Sequence, residues 1–181
     1  MKVVDYSAEW PRLYERELAV LREALGNEIV RAHHFGSTAV PGLAAKPVID
    51  ILLEVQSVER LDVFDNAMER LGYQPRGEFG IPGRRYYPKG GDDRTHHVHA
   101  FTDGDKQIEA YLALRDYLRT HPAAVAEYAA VKKEASMVHE TDPEGYVAFK
   151  HDFVERMVAV ALHWAEELRD KEQAGEQEDA A

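Results

Sequence analysis

The chain has 181 residues, 45% of them apolar and 30% charged, a size and mixture that suit one folded domain with a real core. Its formal net charge is −11 and no Lys/Arg cluster stands out, so DNA is not expected as a partner, whereas a nucleotide carrying its own divalent cation remains compatible. Cysteine is absent, which excludes disulfides, thiolate catalysis and Cys-ligated zinc.

The opening stretch “MKVVDYSAEWPRLYEREL” becomes charged and amphipathic within six residues, unlike a secretory signal. No apolar run reaches the roughly eighteen residues that span a bilayer, so a cytoplasmic protein with no membrane partner is expected. Trp10, Leu13, Tyr14, Leu18, Leu21 and Leu25 recur at helical spacing, predicting a helix over 8–25 with Ser7 as its cap and Pro11 in its first turn. “EIVRAHHF” (28–35) reads as a strand stopping at Gly36-Ser37, and 38–47, with two prolines, as a loop with one short helical turn. The almost wholly aliphatic “PVIDILLEV” (47–55) predicts a central strand covered on both faces.

A helix is expected over 57–71, closed by Gly72. Three shorter strands follow, near 73–76, near 84–88 and at “HHVHAF” (96–101), the last two joined as a hairpin by “KGGDDRT”. Helices are predicted at 105–119, at 122–138 with Pro122 in a favourable first position, and from Asp142-Pro143 onward. The last carries an apolar stripe of Tyr146, Phe149, Phe153, Met157, Val160, Trp164 and Leu168, suited to core packing or to a homodimer contact. The segment “EELRDKEQAGEQEDAA” (166–181) holds seven acids against two bases. Lacking apolar residues, 171–181 is expected to be an acidic tail without structure, leaving 1–170 as a single domain. The fold class is therefore α+β: a mixed β-sheet flanked by helices, with a helical C-terminal third.

The chemistry-bearing residues start at “HFGSTAVPGLAAKPVID” (34–50). The stretch is neither a Walker A loop nor G-x-G-x-x-G. What remains is Gly36-Ser37 at a strand end, where a glycine admits close backbone approach and a serine offers a hydroxyl and an N–H to a phosphate. A plain structural turn has the same composition. Asp50, inside an aliphatic strand, needs a partner, either a metal or a base such as Lys46 or Arg85.

“HFGSTAVPGLAAKPVIDI”, “RTHHVHAF” and “LRDYLRTHP…EYAAVKKE” together resemble the GrpB-like family of the nucleotidyltransferase superfamily, over about three quarters of the chain. The resemblance implies a nucleotidyltransferase-like sheet with the site at its strand ends. It also implies Gly-Ser contacts to nucleotide phosphates, and Mg²⁺ held by an Asp-x-Asp pair with a third carboxylate from a later strand. Carboxylates at i and i+2 share a strand face, as two-ion chemistry requires. Here Asp50 matches the first carboxylate but the second position is Leu52. Glu54 shares that face, ~7 Å further along the strand by the usual rise.

His97 and His99 also alternate onto one face, on the strand matching the third carboxylate, and with Asp50 they form a workable transition-metal set for Zn²⁺ or Mn²⁺. A solvated edge strand would show the same alternation. One of His33 and His34 must point inward as a packed core histidine. Lys46, Arg84, Arg85, Arg94, Arg115 and Lys132 are the positive candidates for phosphate contacts, and Tyr86-Tyr87 could stack on a base or simply pack in the core.

Asp50, His97 and His99 are thus the expected catalytic set, with Glu54 as a further possible ligand. Gly36, Ser37, Lys46, Arg85, Arg115 and Lys132 are the expected ligand contacts, for a nucleotide or small phosphorylated molecule. The leading expectation is nucleotidyl transfer from an NTP to a small acceptor. The alternatives are a catalytically degenerate nucleotide- or anion-binding module and an Asp/His metal-dependent enzyme of another class. Because of Leu52, the sequence supports binding better than two-ion catalysis.

Overall fold

A computed structural model describes residues 3–139 and 142–179. The chain divides into two compact units, Met1–Ile108 and Glu109–Ala181.

The first unit is built on four strands, β1 (Ile29–Phe35), β2 (Ile49–Val55), β3 (Arg85–Lys89) and β4 (His96–Thr102), in the order β1-β2-β4-β3. The outer pairs are antiparallel and the central pair, β2 with β4, is parallel, so the sheet is mixed as expected. Directly paired residues share a face. On one face Ile49, Ile51, Leu53 and Val55 join Val98, Ala100 and Tyr87. They pack with Trp10, Tyr14, Leu18, Leu21 and Leu25 of helix α1 (Trp10–Leu25) into one core. Leu21, Ile51 and Leu53 are fully buried, each contributing ~1.5–3 kcal/mol relative to exposure. The opposite face presents Asp50, Leu52 and Glu54 of β2 beside Arg31, His33 and Phe35 of β1 and His97, His99 and Phe101 of β4.

Several local expectations shift in detail. The residue at the α1 N-cap is Glu9, and Ser7 instead accepts from the Glu9 N–H one step earlier. The helix expected over 57–71 is broken into α2 (Val58–Leu61), a 3-10 turn at Asp62–Phe64 and α3 (Asp65–Arg70). The break coincides with Asp62 and Asp65, which accept from the Arg85 guanidinium and the Tyr87 hydroxyl of β3. Ser57 caps α2, and Gly72, at φ +87°, turns the chain out of α3. The strand expected near 73–76 is reduced to one bridge, Tyr73 to Lys89. Gln74 donates its N–H to the Pro88 carbonyl, and Pro88 has no N–H with which to return the bond.

The second unit takes in most of α4 (Lys106–Thr120), α5 (Pro122–Val138) and α6 (Pro143–Asp179). Pro122 opens α5 as expected, and Asp142 caps α6 by accepting from the Gly145 N–H. Of the α6 stripe, Met157 is buried, Phe153 stacks on Tyr128 of α5, and Trp164 meets Tyr117 of α4 and His121 edge-on. Phe149, Val160 and Leu168 are exposed, and the Tyr146 side chain lies outside the described residues. Residues 171–179, expected without structure, continue α6. Their Glu, Gln, Lys and Ala content favours helix, against the cost of Gly175, while 180–181 lie outside the described residues. None of the helices among the described residues is long and apolar enough to cross a membrane.

Candidate functional site

The parallel register of β2 against β4 sets Asp50 opposite His97 and Leu52 opposite His99, which brings the three chemistry-bearing side chains to one end of one face. On the other flank Asp50 pairs with Phe35, the last residue of β1, so the chain must turn away at Gly36. Gly36 adopts φ +70° and ψ −169°, a region open essentially to glycine alone. A Cβ built there would stand 2.5 Å from Asp50 Oδ2. The glycine is therefore required twice, by its backbone and by the carboxylate lying against it. Ser37 follows at once, at the start of a 3-10 turn.

Asp50 Oδ1 lies 3.2 Å from His97 Nδ1 and 4.0 Å from His99 Nε2, and all three residues are half-buried. One donor atom from each falls within 4.8 Å of the other two, which is the spacing a single ion needs. His99 is pushed down to about 4, chiefly by burial; Asp50 opposes the shift, while the Arg84 and His97 charges reinforce it. Its ring is therefore neutral near pH 7, the state in which an imidazole ligates a metal. Arg84 places Nη1 3.4 Å from His99 Nδ1, on the side of the ring away from Asp50. The other such grouping among the described residues, His151, Asp152 and Glu155, is fully exposed on α6.

Glu54 does not join the cluster, although it shares the face. It is buried and accepts two bonds from Arg31, at 3.0 and 2.7 Å, while His33 Nε2 sits 2.6 Å from Oε1. The Arg31 hydrogen bonds pull its carboxyl down to about 2, against a smaller opposing effect of burial and with help from His33. Asp103 also accepts from Arg31. Of the paired histidines, His34 is the inward one, stacked on Tyr14 and bonded to Thr38 Oγ1 at 3.0 Å.

The expected basic contacts separate. Lys46 is half-buried in the loop before β2. Arg85, expected at the ligand, is on the opposite face of the sheet, where Asp62 takes it with bonds of 2.6 and 2.8 Å. Strand alternation is the reason: Tyr86 pairs with His99, so its neighbour Arg85 must point the other way. Arg115 and Lys132 belong to the second unit; Arg115 is bonded to Asp116, and Lys132 is buried with Nζ 4.6 Å from the Tyr128 ring centre. The sequence reading missed Phe79 and left Arg84 and Tyr86 without a settled place. Tyr86 contacts both cluster histidines, at 5.5 Å from His97 and 5.1 Å from His99 between ring centres. The β3–β4 register, which places Tyr86 opposite His99, is set by the pairing itself. An aromatic set among glycines in “GEFGIPG” (77–83) was the available signal for Phe79.

Two outcomes follow from this geometry. Gly36→Ala is expected to lower stability by roughly 2 kcal/mol or more, from backbone strain plus displacement of Asp50, read by urea denaturation. Glu54 has a lowered pKa, so its contribution to stability is present above about 4.5 and is lost as pH falls toward about 2. Glu54→Gln should therefore flatten the acid limb of a stability-against-pH curve across that window.

Comparison with known proteins places this arrangement in a family. The profile described as “GrpB protein” matches residues 1–159. UPF0157 protein YqkA of Bacillus subtilis is 42% identical over 164 residues, covering 91% of this chain but only 48% of that protein, so the chain spans about half its length. The crystal structure of conserved protein GrpB from Enterococcus faecalis superposes with a TM-score of 0.87 at 38% identity, covering 91% of this chain and 99% of that one. A cytoplasmic RNA terminal U-transferase aligns with a TM-score of 0.52 at 13% identity over 76% of this chain and 42% of its own, a likeness of fold alone. With the profile covering all of the first unit and most of the second, the chain belongs to the GrpB family.

Proposed function

We propose that this protein binds one divalent transition-metal ion through Asp50, His97 and His99 and transfers a nucleotidyl group from an NTP to a small acceptor. Gly36, Ser37 and Lys46 hold the phosphates. The observation carrying this reading is Asp50 Oδ1 facing His97 Nδ1 and His99 Nε2 together at 3.2 and 4.0 Å. One carboxylate and two imidazoles suit Zn²⁺ or Mn²⁺. The Mg²⁺ pair implied by the wider fold does not fit these residues, because Leu52 is apolar and fully buried and Glu54 is held by Arg31 and His33.

A bound ion would supply positive charge to the phosphate under attack. The remaining work falls to the chain itself. Gly36 lets the Asp50 carboxylate lie against bare backbone, and the Ser37 N–H and hydroxyl orient the phosphate oxygens. Burial, with a smaller contribution from the Arg84 charge, keeps His99 unprotonated. A second reading, a binding module without turnover, is favoured by Leu52 alone.

Titration calorimetry is expected to show one Mn²⁺ or Zn²⁺ bound at least tenfold more tightly than Mg²⁺, with Asp50→Asn and His97→Ala each abolishing the preference. Absence of any ion binding would sink the proposal, and ion and NTP binding without transfer of radiolabelled nucleotide would leave the binding module. Ligation through His99 Nε2 puts the ring proton on Nδ1, opposite the Arg84 guanidinium. Arg84→Met is therefore expected to tighten ion binding, a sign opposite to that of the ligand variants.

A further inference from the structure

The loop over 77–83 carries Phe79 in a state that folding alone does not reward. Phe79 is the one non-glycine residue with positive φ among the described residues, at +45°, and it is 63% exposed. Both the strained backbone and the ring left in water cost free energy that folding must offset elsewhere. The loop is nonetheless tightly held. Arg84 donates to the Glu78 carbonyl at 3.1 Å and the Phe79 carbonyl at 2.6 Å, Glu78 Oε1 accepts from the Gly83 N–H at 2.7 Å, and the Gly77 carbonyl accepts from the Tyr86 N–H at 2.9 Å. One face of Phe79 stacks on Tyr86, with ring centres 5.2 Å apart and planes 22° apart, and the Arg84 guanidinium sits 5.0 Å from the Tyr86 ring centre. Tyr86 then meets His97 and His99 edge-on.

We infer that Phe79, backed by Tyr86 and clamped through Arg84, is the stacking platform for the base of a nucleotide whose phosphates lie at Asp50, His97 and His99. Two ring-to-ring steps, 5.2 Å from Phe79 to Tyr86 and 5.1 Å on to His99, separate platform and cluster, an interval a nucleotide bridges between its base and its phosphates. Stacking on a single ring reads the π-face common to every base, so the platform selects nucleotides over sugar phosphates without strong preference among bases. The phosphate placement rests on the function proposed above, whereas the stacking is tested separately from it.

The test is calorimetry on the full chain with Mn²⁺, titrating AMP, CMP, GMP and UMP against ribose 5-phosphate. The nucleotides are expected to bind about ten- to a hundredfold more tightly than ribose 5-phosphate. Phe79→Ala should bring them down to the ribose 5-phosphate level while leaving ribose 5-phosphate and Mn²⁺ affinities unchanged, and Phe79→Trp should restore the difference. Equal binding of nucleotides and ribose 5-phosphate by the unmodified protein, or a preference that survives Phe79→Ala, would overturn the platform. Loss of Mn²⁺ binding in Asp50→Asn with the nucleotide preference intact supports the platform. Failure of Mn²⁺ to bind the unmodified protein, with that preference present, overturns the ion site alone.

Discussion

A carboxylate placed in a strand covered on both faces costs several kcal/mol unless something answers it, and β2 carries two. The neighbouring strands answer them in different ways. Glu54 is closed off by Arg31 and His33 of β1, while Asp50, at the strand end, is faced by His97 and His99 of β4 and lies against the bare backbone of Gly36. The register of β2 with both neighbours follows from these needs as much as from the aliphatic residues on its other face, since a one-residue slip would bury the carboxylates against α1.

The two answers give the carboxylates separate roles. Glu54 has its oxygens taken and its charge fixed, so it behaves as structure. Asp50 is half-buried and faces His97 and a neutral His99, an environment quite unlike that of Glu54. Leu52 stands between them, fully buried, and removes the second carboxylate on which a two-ion centre depends. The site therefore combines a glycine-serine turn with a mixed oxygen and nitrogen donor set, and the held loop bearing Phe79 adds an aromatic surface beside it.

Much of the fold was legible because its signals are local. The stripe on α1, the apolar run of β2, Gly72 after α3 and Pro122 at the head of α5 each act through a few neighbouring residues, and each lies where the pattern puts it. Legibility failed where a local preference met a longer-range partner. The helix over 57–71 is interrupted where Asp62 and Asp65 reach Arg85 and Tyr87, and the strand near 73–76 is lost for want of an N–H at Pro88. Beyond Lys171 the absence of apolar residues suggested no structure, yet the run of Glu, Gln, Lys and Ala sustains the helix in spite of Gly175.

The sequence by itself determined the ingredients: a glycine-serine turn, an aspartate on an aliphatic strand, histidines at i and i+2, and Leu52 where a carboxylate would complete a two-ion centre. Period and residue chemistry suffice for these because each concerns side chains on one element. Only the tertiary structure decided that Asp50 meets both histidines, that Glu54 is spent on Arg31, that Arg85 points away, and that Tyr86 with Phe79 borders the cluster. Those outcomes depend on strand order and pairing register, which are set by contacts between segments far apart in the chain.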